Sequence, residues 1–201
     1  MRFLFVIVII VSLVTLSEVF FNLPSSSFNI IRLSSISGGG DDCLRELELY
    51  SNEFKPFGSF EEENCKVKNA VKITSFKNTK LSGALTLSCP TAVNVGKYLT
   101  EISARKVEHL GTYNCRNILG SNIVSEHGYG TAIDISKIDS ASVLEDWNKN
   151  SDNGKILKNA YDTACRYFSN ILTPDTNNDH KNHFHFDNGF GTKCYLKWIK
   201  K

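Results

Sequence analysis

The chain has 201 residues, 41% of them hydrophobic, with 23 basic and 21 acidic side chains and a formal net charge of +2. That length and composition suit one domain with a real core. The even balance of charge, with no Lys/Arg block, excludes the electrostatic footprint of a nucleic-acid binder and predicts no nucleic-acid partner.

Met1-Arg2 precedes an apolar run from Phe3 to Leu16, which has the length and flank of a secretory core region. Thr15 and Ser17 could sit at a cleavage site, whereas Val19, Phe20 and Phe21 extend the stretch toward spanning length. Residues 1–21 therefore read as a signal peptide or an N-terminal anchor, and an uncleaved anchor would be the one membrane contact. Both readings predict export, to the periplasm or the cell exterior. Residues 22–42 are Ser-rich, include three consecutive glycines and show no periodicity, so they read as a flexible tether. The folded domain is expected over residues 43–201.

Six cysteines, at 43, 65, 89, 115, 165 and 194, are spread through that domain without a CxxC pair. An even, dispersed set behind an export segment predicts three disulfides in an oxidising compartment, and their spacing leaves the pairing open. Alternation at Ala70-Val71-Lys72-Ile73 and Ala84-Leu85-Thr86-Leu87 predicts strands. Cys89-Pro90 opens a helix whose Ala92, Val95, Leu99 and Ile102 share a face. A second helix is expected over 154–172, with Ile156, Leu157, Ala160, Ala164, Tyr167, Phe168 and Ile171 at helical spacing, Asp152 or Asn153 as its cap and Pro174 ending it. These elements predict a disulfide-stapled α+β domain.

Four of the five histidines fall in two short segments, 125–134 and 179–187. In the second, strand alternation puts His183, His185 and Asp187 on one face and Phe184 and Phe186 on the other. In the first, Asp134 points away from Ile133 and Ile135, and Gly128 and Gly130 let the chain turn so that His127 can meet it. Two imidazoles and one carboxylate suit zinc and leave a fourth position open, as in catalytic sites. His127, Asp134 and His185 are thus the expected metal ligands, and zinc would make water nucleophilic at neutral pH. His183 is placed to carry the proton, His180 to assist it, and Arg116 to face the charge that develops on an attacked carbonyl. Asp187 reads as a residue that orients a ligand, Glu126 as a solvent-facing acid, and His109 is assigned no role. Taken singly, each could be an ordinary turn histidine, capping acid or exposed arginine; their clustering favours the site.

Ser125-x-His127-x-x-Gly130-x-Ala132-x-Asp134, followed by His183-x-His185, resembles the metal-binding signature of the superfamily of D-Ala-D-Ala metallopeptidases, lysostaphin-type peptidases and the Hedgehog signalling domain. The segments Tyr113–Arg116, Ser125–Asp134, Ala164–Phe168 and Asp179–Asp187 are similar to the bacterial extensin-like C-terminal domain family, and the likeness runs from about Cys43 to Cys194. The resemblance implies a small antiparallel sheet flanked by helices, the three zinc ligands already named, and His183 as the catalytic histidine. Some relatives place a glutamate base three residues before the last ligand, where this chain has Asn182. The His-x-His form with His180 upstream is similar to penicillin-insensitive murein endopeptidases. The implied activity is zinc-dependent cleavage of peptide bonds in peptidoglycan or its peptide stems, as an endopeptidase or carboxypeptidase. The alternative, implied by the Hedgehog relatives, is a secreted, non-catalytic, metal-binding module that recognises cell wall or protein.

Overall fold

The computed structural model describes residues 40–191. The apolar N-terminal segment, all but the last three residues of the tether, and Cys194 lie outside them. Helix α1, Asp41–Leu47, opens two residues before the expected domain start at Cys43. It is followed by β1 (Glu53–Glu62), β2 (Cys65–Phe76), β3 (Thr79–Ser88), α2 (Cys89–Glu101), β4 (Lys106–Gly111) and β5 (Ala132–Ile138). The chain continues with β6 (Ala141–Ser142), α3 (Val143–Asp146), α4 (Asp152–Ala164), β7 (Asn170–Leu172) and β8 (Phe184–Asp187). The α+β class is as expected.

Among the described residues the strands form one sheet in the order β1-β2-β3-β4-β5-β8-β7, with β6 beside β5. An antiparallel sheet was expected, and the sheet is mixed because β3 and β4 run parallel. The physical reason is the helix between them: α2 carries the chain back along the sheet before β4 begins, whereas the tight turns of a hairpin would reverse it.

The core lies where α1, α2 and α4 cover one face. Leu47, Ile73, Leu85, Leu87, Leu99, Ile133, Ile135, Leu157, Phe184 and Phe186 are almost completely buried there. Tyr98 of α2 sits at the centre, edge-on to Phe168 and to Phe186 at 5.5 Å each, and its hydroxyl donates to the Ala160 carbonyl at 3.3 Å. Burying a polar hydroxyl is tolerable because that bond is made.

Helix α4 ends at Ala164 and does not run on to residue 172, and Ser151 caps it instead of Asp152 or Asn153. Its side chain accepts from Gly154 N–H at 3.1 Å. Tyr167, Phe168 and Ile171 are apolar because they pack on the same core from a turn and from β7, so helical spacing continued there by coincidence. Phe168 stacks on Phe186 at 5.2 Å, a contact made from outside the helix.

Among the described residues two disulfides brace the fold. Cys43–Cys89 ties α1 to the start of α2, and Cys65–Cys115 ties the start of β2 to the segment that follows β4. They close sequence separations of 46 and 50 residues, for which the chain-entropy account gives about 4 kcal/mol each. Cys165 is disulfide-bonded as well. Disulfides of this kind fit an oxidising environment.

Candidate metal centre

Three strands and one turn build the site. In the β5–β8 pair Asp134 lies directly opposite His185, Ile133 opposite Phe186 and Ile135 opposite Phe184. Residues facing each other in an antiparallel pair point to the same side, so the apolar partners enter the core while Asp134 and His185 emerge together on the other face. Register with β7 adds Asn170 opposite Asp187 and Leu172 opposite His185.

His127 arrives from a 3-10 turn, Glu126–Tyr129, whose start is capped by Ser125 accepting from His127 N–H. Both glycines of the turn are required. Gly130 has φ +64° where the turn closes, and a Cβ at Gly128 would lie 2.7 Å from Cys65 Sγ of the disulfide beneath it. The turn is thereby pressed onto the Cys65–Cys115 bridge.

The ligand atoms of His127, Asp134 and His185 all lie within 4.8 Å of one another. His127 Nε2 is 3.2 Å from His185 Nδ1 and 3.2 Å from Asp134 Oδ2, and His185 Nδ1 is 2.9 Å from Asp134 Oδ1. Each imidazole is held from behind. His127 Nδ1–H donates to the Thr112 carbonyl, and His185 Nε2–H donates to Asp187 Oδ2 at 3.0 Å. A carbonyl and a carboxylate only accept, so those ring nitrogens carry protons and the inner nitrogens are the ones free to ligate a metal. Asp187 is itself fixed at Oδ1 by Asn170 Nδ2 at 2.8 Å and Gly189 N–H at 2.9 Å.

Two inner nitrogens and a carboxylate meeting at about 3 Å repel unless positive charge stands among them, a metal ion or, without one, a proton on His185 Nδ1. Ligand atoms around a tetrahedral zinc at ~2.0–2.1 Å would be roughly 3.3 Å apart, close to the separations present. The tethering of each imidazole by a carbonyl or carboxylate also matches the outer support typical of metal histidines. The donor set therefore fits a divalent metal ion. Titration behaviour reports the same convergence. Burial opposes a charge on Asp134, yet hydrogen bonds and charge from His127 and His185 hold its carboxyl well below the usual range. Burial also opposes a charge on His185, but Asp134 and Asp187 outweigh it and raise the imidazole to about 9.

Asp134, His185 and Asp187 line a cavity of about 600 Å³ together with Arg116, Glu126, Leu172, Asn177, Asp179, His180 and His183, and His127 lies buried behind Asp134 and His185. His183 Nε2 is 3.6 Å from Asp134 Oδ1, and its Nδ1 is 2.9 Å from Asn182 Oδ1. His180 stands on a second 3-10 turn, Asn178–His180, with its ring 5.1 Å from that of His183 and its Nδ1 2.6 Å from Asn177 Oδ1. Arg116 is exposed on the cavity wall. All six residues singled out by the sequence are thus brought to one place. Glu126 reaches the wall too, where Thr131 donates to its carboxylate, so it is not simply solvent-facing. His109 lies apart on β4 with Nε2 3.1 Å from the Gly83 carbonyl. Four supports went unseen in the sequence: the Thr112 carbonyl, Asn170, Asn177, and Asn182 as partner of His183. A backbone carbonyl leaves no signature, and each asparagine contacts its histidine or aspartate only through local folding or strand register.

Fold and site together define a disulfide-braced α+β domain with a candidate two-histidine, one-aspartate metal centre. The family model described as extensin-like protein C-terminus matches residues 41–195, and the chain belongs to that family. No curated protein and no solved structure shows a significant match to it.

Proposed function

We propose that this chain is an exported, zinc-dependent hydrolase of peptide bonds in peptidoglycan, acting as an endopeptidase or carboxypeptidase. The observation that carries the reading is the convergence of His127, Asp134 and His185, the last two on the wall of a cavity that is also lined by His183 and His180. The sequence likeness to D-Ala-D-Ala metallopeptidases and murein endopeptidases supplies the substrate class. Zinc held by the three ligands would polarise a carbonyl and make water nucleophilic at neutral pH.

The remaining work falls to the chain's own groups. The Asn182 side-chain oxygen accepts from His183 Nδ1–H, which leaves the Nε2 lone pair toward Asp134 and the cavity. Burial lowers the pKa of His183, so the ring is neutral near pH 7 and can take a proton at Nε2 and return it to a leaving nitrogen. Burial and the neighbouring histidines push His180 down to about 4, which makes it a neutral hydrogen-bonding partner beside His183. Arg116, on the cavity wall, offers guanidinium donors to the oxygen on which charge develops. With Asn182 where some relatives carry glutamate, His183 is the base.

Incubation of the purified domain with cell-wall sacculi should release muropeptides with zinc present and none after chelation. His183→Ala should slow release by about a hundredfold to ten-thousandfold while zinc stays bound. No release by the wild type at any zinc level would overturn hydrolysis, and an unchanged rate in the variant would overturn the role of His183.

A further inference from the structure

The loop from Asn117 to Val124 forms one lip of the cavity. Its ends are joined by an isolated antiparallel bridge between Asn117 and Val124, and within it Ile118 N–H donates to the Ile123 carbonyl at 2.8 Å and Ser121 N–H to Ile118 at 3.0 Å. Its base is tied down twice, by the Cys65–Cys115 bridge and by Ser125 N–H donating to the Arg116 carbonyl at 2.9 Å. A loop so braced would be expected to turn its large apolar side chains inward. Instead Ile118, Leu119 and Ile123 are 48%, 84% and 66% exposed.

Their placement is not random. Ile118 and Leu119 line the same cavity as Asp134, His180 and His183, and Leu172 adds a further aliphatic wall. The cavity is therefore two-sided, with histidines and carboxylates around the metal centre and aliphatic carbon at the lip. Three side chains are too small a surface for a stable protein partner, which needs roughly 800 Å² from each side. They do match one substrate side chain.

Resting on the hydrolase reading above, we propose that Ile118 and Leu119 form a specificity subsite that receives an aliphatic side chain of the peptide whose neighbouring amide lies at the metal centre. Glycine in that place leaves the lip wet. Each methylene added buries apolar surface and strengthens binding by about threefold to fourfold, until the lip is filled. The gain appears in KM, since the contact is the same before and during bond cleavage.

The test uses the zinc-loaded protein and acetylated tripeptides of glycine, alanine and valine, in both stereochemical series. Two readouts separate the subsite from the chemistry: hydrolysis rates, and shifts of the isoleucine and leucine methyl resonances on titration, assigned through I118S and L119S. The expected result is kcat/KM rising from glycine to valine in the wild type, with the gradient flattened about tenfold through KM in the I118S/L119S double variant and kcat little changed. An unchanged gradient in that variant would overturn the subsite while leaving the hydrolase reading intact. If no tripeptide is cleaved, the hydrolase reading rests on the sacculus assay, and the methyl shifts alone decide the subsite. Saturable shifts at 118 and 119 with valine and not glycine peptides would uphold the subsite; no such shifts, or shifts produced only by glycan fragments or by raising protein concentration, would overturn it.

Discussion

Asp134 and His185 face each other across the β5–β8 pair, and the carboxylate oxygen lies 2.9 Å from the imidazole Nδ1. This cross-strand pair anchors the candidate metal centre, because strand register sets its separation while Phe186 and Ile133, one position along on the opposite face, are locked in the core. Asp134→Asn keeps the volume but removes the anionic ligand. It should cost more than about a hundredfold in zinc affinity, against about 10–100-fold for loss of an outer support. Competition with a metal-binding dye would measure it, and near-wild-type affinity would show that Asp134 is no ligand.

Asp187 and Asn170 hold the far side of His185. Asp187→Asn should weaken zinc binding about 10–100-fold, and Asn170→Ala should do so by less, since Gly189 N–H still fixes the Asp187 carboxylate. Equal losses for the two variants would mean that Asn170 supports more than Asp187.

The His185 pKa, raised to about 9, sets the sign of two pH effects. Zinc must displace the proton on Nδ1, so below about pH 9 binding releases a proton and apparent affinity climbs with pH by up to about tenfold per unit. For the metal-free protein the sign is opposite. A folded pKa above the ordinary 6.5 means that stabilisation from His185 is fully present below about pH 6.5 and is lost as pH rises through 9. Calorimetry in buffers of different ionisation enthalpy should find proton release at pH 7. Melting of the metal-free protein between pH 6.5 and 9 should show falling stability, whereas a rise would contradict the assignment.

Removal of either described disulfide should cost about 2–5 kcal/mol of stability. Only the Cys65–Cys115 pair should also weaken zinc binding, because the turn bearing His127 packs on Cys65 through Gly128. Denaturant melts and zinc titration of the paired serine variants, C65S/C115S and C43S/C89S, would separate the two effects. Equal zinc affinity in both would show that the turn holds its shape without the bridge.

Much of this site was legible along the chain because its residues sit on short, strongly patterned elements. Alternation in 183–187 placed the histidines opposite the phenylalanines, and the glycines marked the turn at His127. The helix over 154–172 was overextended for the same reason that made it visible: Tyr167, Phe168 and Ile171 serve the core from β7 and its approach at a spacing that mimics a helical face.

Local pattern by itself determined the α+β class, the cysteine framework and the identity of the clustered residues, since periodicity and residue chemistry act between near neighbours. Only tertiary structure decided that β3 and β4 are parallel, that Cys65 pairs with Cys115, that the Thr112 carbonyl aims His127, and that Asn170 fixes Asp187 behind His185. Those facts depend on strand order and register between segments tens of residues apart, and no local preference of the chain encodes them.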